Sequence, residues 1–146
     1  MADLEVSLVD PNYVSRVWSE VEPILGKSIG SAHGRYDMKD ILAEIVNFEQ
    51  HLWVVFNEES KIIAALTTRF VSYPKKKVLA GQFLGGTKIM RWRDPMLNTL
   101  ENWAKDNSCD GLEMTGRNGF EKVLGPYGWT PEYVVFEKMF EEKVDG

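Results

Sequence analysis

Residues Leu97 to Phe140 read LNTLENWAKDNSCDGLEMTGRNGFEKVLGPYGWTPEYVVFEKMF. Apolar residues change their period three times along this stretch. Leu97, Leu100, Trp103 and Ala104, with Met96 just before them, recur at helical spacing. Asn107-Ser108-Cys109-Asp110-Gly111 ends that helix. Leu112 to Thr115 predicts a short strand. Gly116-Arg117-Asn118-Gly119 breaks the strand, and Asn118 can cap a short helix reaching Leu124. Tyr127-Gly128-Trp129 then leads into Tyr133 to Phe140, an apolar run that reads as a closing strand.

Working outward, the segment before this stretch is strand-rich. Leu52 to Phe56 is a continuous apolar run, as a buried strand requires. Asn57 to Lys61 reads as a turn and Ile62 to Val71 as the next strand. After Tyr73-Pro74-Lys75, Val78 to Leu84 predicts a fourth strand, counting a short one at Leu4 to Val9. Gly81 inside it signals a bulge or a close approach. Two helices come first. Asp10-Pro11 starts one with Val14, Val17, Trp18, Val21, Ile24 and Leu25 on its face, kinked or ended at Pro23. Gly26 to Tyr36 reads as a loop. Asp37 caps the second helix, faced by Met38, Ile41, Leu42, Ile45 and Val46. Gly85-Gly86-Thr87-Lys88 closes the fourth strand, and Asp94-Pro95 predicts the start of the third helix. The fold class is α+β: a mixed, mostly antiparallel sheet flanked by helices, with its fourth and fifth strands parallel.

Composition bounds the function. At 146 residues, 44% apolar and 12% aromatic, the chain suits one domain, residues 1–146, with a substantial core. A net charge of −5 argues against a nucleic-acid partner. The basic run Lys75-Lys76-Lys77 reads as a solvated turn. A lone cysteine, Cys109, excludes an internal disulfide and fits a reducing, cytoplasmic setting. The first residues do not read as a signal peptide, and no apolar run is long enough to span a membrane. Two histidines and one cysteine, far apart, have no metal-ligand spacing.

The order helix, strand, Asn118, helix, Gly128-Trp129, strand resembles the C-terminal half of the GCN5-related N-acetyltransferase (GNAT) superfamily. The likeness is strongest over residues 52–140. It implies acetyl-CoA held between the fourth and fifth strands, with its pyrophosphate on the N-terminus of the following helix. It further implies transfer of an acyl group to an amine on a small molecule or peptide. Phe83 and Leu84 would polarise the thioester carbonyl through backbone N–H groups, and Asn118 would face the cofactor. The family's Gln/Arg-x-x-Gly-x-Gly/Ala phosphate loop is not present in its usual form. Counting back from the helix end places Arg91, Trp92 and Arg93 at the glycine positions, so Arg91 and Arg93 would meet the phosphates. Leu124 stands where many members carry a general-acid Tyr. Glu113, alternating with Leu112 and Met114, is the candidate base; Gln82, Glu49 and His51 are weaker candidates, and His33 lies in the loop that helps form the family's acceptor site. Members often pair, so a homodimer is implied. Compact proteins of this style occur among bacteriophage-encoded relatives, and a non-catalytic binding module is the alternative function.

Overall fold

The computed structural model describes residues 4–29, 34–116 and 120–140. They form two compact units, one ending at Thr115 and one beginning at Gly116.

The first unit is a five-stranded sheet. Strands β1 (Glu5–Val9), β2 (His51–Phe56), β3 (Ile62–Ser72), β4 (Lys77–Gly86) and β5 (Gly111–Met114) lie side by side in chain order. The first four pair antiparallel, and β4 pairs with β5 in parallel. Helices α1 (Val14–Ile29) and α2 (Met38–Val46) lie in one core layer, and α3 (Ile89–Asp106) lies in the other. Because both faces are covered, β2 is apolar from Leu52 to Phe56 rather than alternating. Leu52 and Val54 join Val14, Val21, Leu25, Ile41 and Ile45 in one core. Trp53 and Val55 join Leu66, Leu79, Trp92, Met96 and Leu100 in the other.

Local chemistry sets the helix starts. The Asp10 carboxylate accepts the Asn12 N–H at 2.8 Å ahead of the 3-10 turn Pro11–Tyr13. Asp37 and Asp40 close a capping box on α2. Asn57 Oδ1 accepts the N–H groups of Glu59 and Lys61 and shapes the β2–β3 turn.

The structure excludes Pro23 as the end of the first helix and moves the expected start of the third. α1 runs through Pro23 to Ile29, and α3 begins at Ile89 with Asp94-Pro95 inside it. A proline costs the helix the bond to the carbonyl four residues earlier. Those residues, Ser19 and Arg91, are exposed, so water can satisfy both carbonyls. The basic turn holds for the exposed Lys75 and Lys76 only. Lys77 starts β4, donating from Nζ to the Asn107 carbonyl at 2.8 Å and lying 4.5 Å above the Phe70 ring.

The second unit contains α4 (Phe120–Leu124) and the 3-10 turn Gly125–Tyr127. The expected closing strand is not formed: Tyr133 to Phe140 has no regular structure and its side chains are exposed. A strand exists only through a ladder partner, and this segment has none among the described residues.

Candidate functional site

β4 outruns β5, and this difference makes the site. The last β4–β5 pair is Gly81 with Met114, and the Thr115 N–H donates to the Gly81 carbonyl at 3.3 Å. β4 continues to Gly86. The β3–β4 register shifts between Thr67, opposite Phe83, and Thr68, opposite Gly81, so Gln82 is the extra residue of a bulge. At Gly81 a Cβ would lie 2.9 Å from Met114 Cε, the far end of a flexible side chain that can swing aside.

Beyond the bulge the polar backbone groups divide between two sides. The Thr87 N–H donates to the Ile63 carbonyl at 3.2 Å, and Gly85 and Phe83 lie opposite Ala65 and Thr67. Alternate residues of an antiparallel pair bond to the same neighbour. Phe83 therefore turns its backbone groups toward β3, and Leu84 turns its own to the side where β5 has ended. The Phe83 ring packs into the α1/α2 core, edge-on to Tyr36 at 5.3 Å.

The chain then enters α3 directly through Gly85-Gly86-Thr87-Lys88. Gly86 has φ +138, and a Cβ there would lie 2.6 Å from the Ile63 carbonyl oxygen. At Gly85 a Cβ would overlap the Ile24 carbonyl of α1, so this glycine lets α1 lie directly on β4. Lys88, at φ 58, precedes the helix, and no side chain caps it. The early N–H groups of α3 thus combine with the positive end of its dipole. Trp92 Nε1 donates to the Thr87 carbonyl at 2.7 Å and fixes the loop from inside the core.

Arg91 and Arg93 lie in the first turns of α3, not ahead of it. Arg91 donates to Glu58 Oε1 at 2.7 Å. The Glu58 carboxyl is held below the ordinary carboxylate range, first by its own backbone N–H and then by Arg91. Arg93 Nε is 3.7 Å from Asp94 Oδ1.

Glu113 is half-buried on β5 and accepts the Tyr73 hydroxyl at 3.0 Å. Leu112 and Met114 pack toward α3, so Glu113 points to the opposite, α1/α2 face. It lies level with Ala80 of β4, which lies level with Arg69 of β3. His51 is on the α3 face, 2.8 Å from Thr68 Oγ1, and burial pushes its pKa down. Glu113 and His51 are therefore on different faces. Glu49 is exposed in the turn after α2. Asn118 and His33 lie outside the described residues. Leu124 ends α4.

The sequence reading did not single out Arg69 or Thr67. The one signal was the polar interruption Thr67-Thr68-Arg69 in an otherwise apolar strand. A groove of about 490 Å³ lies between α1 and α2, lined by Trp18, Glu22, Asp37, Met38, Lys39 and Leu42. It contains none of the residues nominated from sequence. No His, Cys, Asp and Glu group suited to a metal occurs among the described residues, and none of their helices is long and apolar enough to cross a membrane.

No family model matches the chain, and no curated protein matches it by sequence. Solved structures do match. A probable acetyltransferase superposes with a TM-score of 0.72 at 9% identity, covering 95% of this chain and 99% of that one. Aminoglycoside N-acetyltransferase AAC(6')-Iy, in complex with CoA, gives 0.66 at 11% identity over 95% and 96% of the two chains. A predicted acetyltransferase from Clostridium acetobutylicum, solved with acetyl-CoA, gives 0.62 at 18% identity over 95% and 96%.

The chain has the GNAT fold. Beyond the last β4–β5 pair, β4 continues to Gly86, and Gly85 to Lys88 leads into α3.

Proposed function

We propose that this chain is an N-acyltransferase that moves an acetyl or similar acyl group from acyl-CoA to an amine. The observation that carries the reading is the end of β4: a bulge at Gln82, outward backbone groups at Leu84, and an uncapped helix entered through Gly85-Gly86. Together they offer donors to a carbonyl and to phosphates within one continuous segment.

In the reaction, the acceptor amine attacks the thioester carbonyl carbon. A C–N bond forms and the C–S bond breaks. The Leu84 N–H stabilises the charge that develops on the carbonyl oxygen, a water in contact with Glu113 takes the amine proton and passes it to that carboxylate, and the thiolate departs. Solvent protonates the thiolate. Early backbone donors of α3 hold the pyrophosphate, with Arg91 and Arg93 adding charge.

Titrating acetyl-CoA against the purified chain tests the reading. At 100 times the dissociation constant, the folded state should gain about 2.7 kcal/mol, read as a rise in Tm. No shift at millimolar acetyl-CoA would sink the proposal.

A further inference from the structure

On the α1/α2 face of the sheet, Arg69, Ala80 and Glu113 form a row across β3, β4 and β5. Adjacent strands lie about 4.8 Å apart, so the two charged residues stand roughly 10 Å apart at the backbone. Ala80 stands between them in the row. Arg69 and Glu113 do not form an ion pair; Glu113 is held instead by the Tyr73 hydroxyl. Arg69 Nε is buried without a hydrogen-bond partner among the described residues, and so are Thr67 Oγ1 and Gln82 Oε1 nearby. Thr67 is fully buried.

Arg69 is half-buried, but its Nε–H and the Thr67 hydroxyl are buried without partners, which is costly unless a ligand completes them. What satisfies both is an anion with oxygen acceptors, and a carboxylate matches the guanidinium fork. The phosphate-binding end of β4 does not supply that anion. Ala80 lies opposite Arg69 and Gly85 opposite Ala65, four residues or roughly 13 Å of strand. Glu113, at the other end of the row, suits a cation.

We infer that this row is the acceptor subsite and that it selects small amines that also carry a carboxylate, in the manner of amino acids. Arg69 and Thr67 take the carboxylate; Glu113 takes the ammonium and then its proton. The inference rests on the acyltransferase reading for the second of these roles and on geometry alone for the first.

The test compares matched ligands by calorimetric titration of the full chain: glycine with glycinamide, β-alanine with β-alaninamide, and L-methionine with L-methioninamide. The acids should bind at least tenfold more tightly than their amides. Arg69→Gln should bring that ratio close to one, and Glu113→Gln should weaken acids and amides alike. Equal affinity of acids and amides for the unaltered protein, or no binding of either, overturns the inference without recourse to any variant. A ratio that survives Arg69→Gln also overturns it. Thiol release from acetyl-CoA separates the two ideas. Acid-selective binding with no release from any amine removes the acyltransferase reading and keeps the subsite. Equal release with acids and amides keeps the reading and removes the subsite.

Discussion

The indole N–H of Trp53 donates to Thr68 Oγ1 at 2.9 Å, joining β2 to β3 beneath α3. His51 Nδ1 lies 2.8 Å from the same oxygen. Thr68 is buried, and its one hydroxyl serves both side chains, with the tautomer of the imidazole setting the direction of the His51 bond. Thr68→Val keeps the shape and leaves both partners without a bond. It should lower stability by about 1–3 kcal/mol, read as a lower urea midpoint at unchanged m. Thr68→Ser should recover most of the loss.

The same histidine gives the protein a pH dependence with a definite sign. Burial lowers the His51 pKa from its ordinary 6.5. The unfolded chain then binds a proton that the folded chain refuses. The contribution is complete above pH 6.5 and is lost as pH falls from there toward the lowered folded value. Tm should drop between pH 7 and pH 5, and His51→Gln should flatten that drop. The lowered carboxyls Asp37 and Glu58, with ordinary values of 3.8 and 4.5, act at lower pH and will be unaffected by the variant.

Gly85→Ala places a methyl group against the Ile24 carbonyl, which is backbone and cannot swing aside. Such overpacking costs about 1–3 kcal/mol. Thermal unfolding should register the loss. Acetyl-CoA affinity should fall with it, because α1 must lift off the strand that carries Leu84.

Arg91 and Glu58 form a surface pair, with side chains 38% and 42% exposed. Arg91→Ala should therefore change stability by less than about 1 kcal/mol. Its effect on acetyl-CoA should be larger: affinity falls in Arg91→Ala and rises in Glu58→Gln, which releases the guanidinium. Calorimetric titration of the two variants at low salt checks both directions.

The strands were legible because each signal was local. Leu52 to Phe56 and Ile62 to Val71 are apolar runs separated by a turn whose side chain, Asn57, makes its own backbone bonds. The prolines misled because their cost depends on where the orphaned carbonyl points, and exposure of Ser19 and Arg91 is a tertiary property. That error hid the most relevant adjacency, since moving the start of α3 back to Ile89 brings Gly85-Gly86 next to it. The Arg69–Ala80–Glu113 row was unreadable for a related reason. It depends on registers between three strands, one of them offset by the bulge at Gln82. Tyr133 to Phe140 has strand composition without a ladder, and composition cannot supply the ladder.

Within that last segment Tyr133, Val134, Val135, Phe136, Met139 and Phe140 are each between 65% and 93% exposed. So many large apolar groups on eight residues form an adhesive strip. Its consequence is colloidal: the hydrodynamic size of the chain should grow with concentration and with added sulfate, which strengthens apolar association. A chain ending at Glu132 should stay monodisperse under the same conditions, and light scattering across a dilution series distinguishes the two behaviours.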